Sequence, residues 1–123
     1  MTGGNKMANF YYCAECGNVF TSERKASVNC CGQEWKALEV SATEPNEKHQ
    51  LDEVKENGKT IYKSHHVQDE GHYFPFMAFE NECGCLKIKT FKPGDTVKLC
   101  VPEGKHGKLY WFCNLHGLYV KEI

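Results

Sequence analysis

The stretch Leu86-Lys87-Ile88-Lys89-Thr90-Phe91-Lys92-Pro93-Gly94-Asp95-Thr96-Val97-Lys98-Leu99-Cys100-Val101 decides the fold class. Leu86, Ile88 and Thr90 alternate with Lys87 and Lys89, and Val97, Leu99 and Val101 alternate with Lys98 and Cys100. Successive side chains of a strand point to opposite faces, so each run reads as a strand with one apolar and one polar face. Between them, Lys92-Pro93-Gly94-Asp95 has the chemistry of a turn.

Working outward, the same signals recur. Thr60–His66, His72–Phe79, Cys85–Phe91, Thr96–Val101, Lys108–Cys113 and Gly117–Lys121 are rich in aromatic and β-branched residues and are predicted strands. Glu56-Asn57-Gly58-Lys59, Asn81-Glu82-Cys83-Gly84 and Pro102–Gly107 supply further turns. No stretch keeps an apolar repeat of helical period across three turns. The fold class is therefore all-β, with an antiparallel, immunoglobulin-like β-sandwich as its larger part. Pro75 sits poorly in a central strand, so its segment is expected at an edge or a bulge.

Residues 10–40 differ in kind, being short extended pieces broken by Cys-x-x-Cys-Gly and Cys-Cys-Gly turns. Ser41–Lys48 is polar, contains Pro45 and reads as a linker. The expected organisation is a small metal-binding domain over 7–40, a linker over 41–48 and the sandwich over 49–123. Met1–Lys6 resembles a tag remnant, and Met7 is the expected natural start.

Of the 123 residues, 15 are basic and 16 acidic, leaving a formal net charge of −1. That balance carries no electrostatic footprint for nucleic acid or an acidic membrane surface, so any attraction for an anion must be local. The apolar stretch Phe74–Phe79 is far too short to span a bilayer. No secretory signal pattern opens the chain, and a cytoplasmic location is expected. In the cytosol disulfides are rare, so 8 cysteines point to metal ligation rather than a disulfide framework.

Cys13-Ala14-Glu15-Cys16-Gly17 is followed by Cys30-Cys31-Gly32. A Cys-x-x-Cys turn lets two thiolates converge on one ion. Neighbouring side chains of a strand diverge, so Cys30 and Cys31 share that ion only across a bend, which Gly32 allows. Four thiolates suit zinc or a single iron. A second set is dispersed: Glu47-Lys48-His49, then His66 and His72 flanking a polar loop, then Cys113-Asn114-Leu115-His116-Gly117. No one piece is decisive, and their value lies in the order and completeness of the set. His65 stands beside His66, and a shift of one residue exchanges them.

On these motifs the amino-terminal segment resembles desulforedoxin, and the whole chain resembles desulfoferrodoxin, the two-domain form of superoxide reductase. The resemblance implies a rubredoxin-type iron held by Cys13, Cys16, Cys30 and Cys31. It implies a second iron with His49, His66, His72 and His116 as equatorial ligands and Cys113 as the axial thiolate. Two mononuclear irons per chain are thus expected, with zinc an alternative in the four-cysteine site. One-electron reduction of superoxide to hydrogen peroxide follows, with rubredoxin or a similar carrier as donor and a homodimer as the assembly. Lys48 would attract the superoxide anion, and Glu47 would help displace product. The chain departs from the family pattern at Gln50 and Val67, where prolines are usual, and at Tyr73-Phe74-Pro75-Phe76, where tryptophan is common. Cys83, Cys85 and Cys100 fall outside both sets and are expected to be thiols. The rival functions are a non-enzymatic, metal-stabilised binding module and a superoxide dismutase.

Overall fold

Alternation becomes pleated sheet throughout the computed structural model, which describes residues 8–41 and 45–123. The opening residues, Met7 and residues 42–44 of the expected linker lie outside the described residues. Among the described residues there is no α-helix, only a 3-10 turn at Glu47–His49. The backbone separates into two compact units, one ending at Glu39 and the other spanning Val40–Ile123.

The smaller unit is two hairpins. Strands β1 (Asn9–Tyr12) and β2 (Val19–Ser22) pair antiparallel, as do β3 (Ser27–Cys30) and β4 (Gln33–Lys36). A unit this small encloses little core, and among its described residues only Phe10, Tyr11 and Cys13 are buried. Tyr11 joins the hairpins with its hydroxyl, which bonds Ser22 Oγ at 2.9 Å and accepts from the Ala26 amide at 2.8 Å.

Among the described residues the larger unit has seven strands: β5 (Leu51–Glu56), β6 (Lys59–Ser64), β7 (Phe76–Asn81), β8 (Leu86–Thr90), β9 (Lys98–Pro102), β10 (Gly107–Cys113) and β11 (Gly117–Glu122). One sheet has the order β11-β10-β7-β8 and the other β5-β6-β9, with every pairing antiparallel. Tyr62 and Leu99 from the second sheet meet Met77, Phe79, Leu109 and Trp111 from the first in one buried cluster. The all-β sandwich class read from sequence is the observed one.

Three local readings need correction. Leu51–Glu56 was not among the predicted strands, because Asp52, Glu53, Lys55 and Glu56 leave it few apolar residues. It forms nonetheless as an edge strand, held by the two-residue Asn57-Gly58 turn, whose φ values of 48° and 76° suit a tight hairpin. The strand expected from His72 starts only at Phe76, since Pro75 has no amide to donate. Once past Pro75 that strand is flanked on both sides, so the segment is interior rather than an edge. The strand expected to reach His66 ends at Ser64, which frees both histidines into a loop.

Gly107 is required at the start of β10. A Cβ there would collide with the Glu80 carbonyl oxygen and crowd Asn81 Cα on the neighbouring strand. Backbone cannot yield as a flexible side chain does. Gly107→Ala should therefore cost about 1–3 kcal/mol, read as a lowered urea midpoint at unchanged slope; an unchanged midpoint would show that the strands part freely here.

Candidate metal centres

At the first centre, the β3–β4 turn brings adjacent cysteines to one point. Cys31 itself takes a left-handed conformation, φ 53°, followed by Gly32 at 74°, so the bend begins one residue before the glycine. Gly17, at φ 80°, closes the other turn by donating to the Cys13 carbonyl at 2.8 Å. All four sulfurs lie within 4.8 Å of one another. Cys16 and Cys30 are 3.5 Å apart, and Cys30 and Cys31 3.9 Å. Four thiolates about 2.3 Å from a tetrahedral ion stand about 3.8 Å apart, so the cage fits one.

The electrostatics agree. Burial opposes ionisation of Cys13, but backbone amides of Cys16 and Glu15 and the thiols of Cys16 and Cys30 outweigh it and draw its pKa down to about 7. The Cys31 thiol is pushed up to about 12 by the sulfurs of Cys16, Cys13 and Cys30 and by burial. The Cys13 thiolate forms readily while Cys30 and Cys31 resist ionising, until a cation between them removes the repulsion.

At the second centre, three segments converge. His49 ends the 3-10 turn, whose cap Asn46 accepts from the His49 amide at 3.1 Å and bonds its Nδ1 at 2.6 Å. That bond leaves Nε2 facing inward. The Trp111 indole donates to the His49 carbonyl at 2.7 Å and ties the turn to β10. His66 Nδ1 bonds the Val67 carbonyl at 2.6 Å, and its ring stacks on Phe74 at 4.2 Å, which again presents Nε2. A histidine ligand oriented by such an outer partner is a hallmark of metal sites.

Ligand atoms of His49, His72, Cys113 and His116 all lie within 4.8 Å of one another. His66 stands outside that mutual set, yet its Nε2 is 3.0 Å from His72 Nε2 and 3.7 Å from Cys113 Sγ. His49 Nε2 and His116 Nδ1 are also 3.0 Å apart, and Cys113 Sγ lies 3.4 Å from His116 Nδ1. Nitrogens about 3.0 Å apart match neighbouring ligands each about 2.1 Å from a shared ion. The donor set, imidazoles with one thiolate, suits a transition metal such as iron. His49, His66 and Cys113 are buried and His116 is exposed, so the cluster has a buried floor and a side open to solvent.

His65 goes elsewhere. Its Nδ1 bonds the Asp52 carboxylate at 3.1 Å and its Nε2 bonds the Glu47 carbonyl at 2.8 Å. Of the two neighbouring histidines, His66 lies beside the cluster and His65 does not. Glu47 and Lys48 are exposed beside buried His49, and the Lys48 charge is felt there. Cys83, Cys85 and Cys100 join neither cluster.

Two asparagines were missed as site residues. Asn46 could have been found as a cap three residues before His49. Asn114 lies inside the quoted Cys-Asn-x-His motif but carries a role that only the structure reveals. It donates to the Tyr73 carbonyl at 3.1 Å, accepts from the Tyr73 amide at 3.0 Å, and donates to the Gly71 carbonyl at 3.3 Å. Those bonds fasten the loop bearing His72 to the turn bearing Cys113 and His116.

Burial first, and then the neighbouring His66, His116, His72 and Lys48, lower the His49 pKa from 6.5 to about 4. Burial likewise lowers His66 and raises the Cys113 thiol. Because the folded chain resists protonating His49, its contribution to stability is in place above the unfolded value of 6.5 and is lost as pH falls through about 4. The metal-free protein should therefore need less urea to unfold at pH 4 than at pH 7, and His49→Gln should flatten that dependence. An equal pH dependence in both proteins would contradict it.

No protein-family model matches the chain. A desulfoferrodoxin homolog from Archaeoglobus fulgidus is 28% identical, with 89% of this chain and 92% of that protein aligned. In structure, the superoxide reductase from Treponema pallidum superposes with a TM-score of 0.75 at 20% identity, covering 95% of this chain and 98% of that one. The desulfoferrodoxin resemblance read from the motifs therefore holds, and the fold is that of a superoxide reductase.

Proposed function

We propose that this protein reduces superoxide to hydrogen peroxide where His49, His66, His72, His116 and Cys113 converge. The observation that carries the reading is the convergence itself: four imidazoles and one thiolate from three distant segments, with a buried floor and an open side. Iron bound there supplies a one-electron couple between its ferrous and ferric states, which the Cys113 thiolate biases toward ferric. The chain's own residues do the rest. Asn46, Val67 and Asn114 hold the ligand rings and turns so that little rearranges during reaction.

Lys48 concentrates the superoxide anion at the open side, supplying locally the positive charge that the near-neutral chain lacks. Glu47 is available to compete with bound product, and His65 holds its backbone in place through the 2.8 Å bond to its carbonyl. Protons come from water at that exposed side. The electron donor is rubredoxin or a similar small carrier, with the Cys13, Cys16, Cys30 and Cys31 centre as a relay. The protein works in the cytoplasm as a homodimer.

Protein made in iron-sufficient cells should contain two irons per chain. Cys113→Ser should abolish the sulfur-to-iron absorption of the second centre and leave that of the first. Finding zinc alone would defeat the redox reading, and reductant consumption in step with superoxide removal would separate reduction from dismutation.

Lys48→Ala should slow the encounter with superoxide by roughly tenfold at low salt, with the difference shrinking as salt rises. Pulse radiolysis measures this directly. Equal rates and equal salt dependence would remove Lys48 from the mechanism.

A further inference from the structure

Two cysteines that neither metal centre uses lie side by side. Cys83 and Cys85 occupy the tip of the β7–β8 hairpin, both exposed, with sulfurs 3.3 Å apart. In a flat strand such i, i+2 side chains stand about 7 Å apart. Here Gly84, at φ 91°, curls the backbone between them and brings the thiols into contact.

The tip is held by one side chain. Asn81 Oδ1 accepts from the Cys83 amide at 3.1 Å, the Cys85 amide at 3.0 Å and the Cys83 thiol at 2.9 Å. The Asn81 backbone adds two more bonds, accepting from the Gly84 amide at 2.9 Å and donating to the Cys85 carbonyl at 3.0 Å. The two thiols are also unequal. The Cys85 amide and thiol stabilise the Cys83 thiolate and lower its pKa, while hydrogen bonding and charge from Cys83 raise that of Cys85. One sulfur is thereby disposed to attack and the other to follow.

We propose that Cys83 and Cys85 form a peroxide-responsive dithiol, oxidised by hydrogen peroxide to a disulfide within the hairpin tip. The Cys83 thiolate attacks one peroxide oxygen, the O–O bond breaks, and the departing hydroxide takes a proton to become water. Cys83 is then a sulfenic acid. The Cys85 sulfur attacks it, the S–O bond breaks, and a second water leaves with the Cys85 proton. Two thiols lose two electrons and two protons, and one peroxide becomes two waters. Closing the sulfurs from 3.3 Å to a bond of about 2.05 Å moves them by about 1.3 Å. So short a ring is strained and exposed, and such disulfides are readily reduced again.

The chemistry needs no metal. If the proposed function holds, the chain itself generates the oxidant; added peroxide tests the dithiol independently of that reading. The full-length, metal-loaded protein is reduced, freed of reductant, exposed to hydrogen peroxide, alkylated and digested with trypsin. Residues 64–87 then form one peptide whose sole cysteines are Cys83 and Cys85. The expected peptide is unalkylated, two hydrogen masses lighter than the reduced form, and restored by dithiothreitol. Cys85→Ser should accumulate a dimedone adduct on Cys83, and Asn81→Ala should slow disulfide formation. Full alkylation of both cysteines after peroxide that oxidises a free cysteine peptide would overturn the proposal. So would a disulfide found only between chains.

Discussion

Asn114 is the constraint on which the second centre depends. Its backbone and side chain grip Tyr73 and Gly71, so the His66–His72 loop and the Cys113–His116 turn move as one piece. Neither segment is long enough to order itself. The loop adds the mutual Asp69–His72 bonds, the Gly94 amide donating to the Gln68 carbonyl at 2.8 Å, and the Gln68 side chain, which accepts from the Phe74 amide at 2.7 Å. Asn114 is what ties the His72 end of that loop to the turn bearing Cys113 and His116. Trp111 performs the matching task for His49, linking it to β10, an inner strand of the four-stranded sheet. The ligand set is thus anchored to the sandwich core at one end of β10.

That anchoring has an electrostatic cost. Burial, and then the neighbouring imidazoles, make His49 and His66 resist taking a proton, and burial makes the Cys113 thiol resist losing one. A group of neutral nitrogens and a reluctant thiol is poorly satisfied by itself, whereas a divalent cation satisfies all of it at once. In the four-cysteine cage Cys13 and Cys31 are driven in opposite directions, the first lowered chiefly by backbone amides and the second raised by the surrounding sulfurs.

Much of this was legible in the sequence. Alternation over Leu86–Val101 and the Asn57-Gly58 turn announced strands because both are local properties of the backbone. The four-cysteine cage was legible because each pair is close along the chain. What escaped depends on distance. The charged edge strand Leu51–Glu56 exists through its ladder with β6, which no window of its own residues encodes. His66 and His65 have nearly the same spacing to His72, and only the three-dimensional positions of Asp52 and the Glu47 carbonyl draw His65 away. Asn114 bonds a segment 41 residues back along the chain, so its role had no local signal.

The sandwich ends in charge. Strand β5 carries Asp52, Glu53, Lys55 and Glu56, and β8, at the margin of the other sheet, carries Lys87 and Lys89. An open margin with unpaired amides and carbonyls is a template on which another chain can add a strand, and charged side chains make that addition unfavourable. Apolar Ile88 and Val54 stand exposed among those charges, 37% and 40% accessible, without forming a continuous sticky rail. Strand addition at these two margins is thereby discouraged.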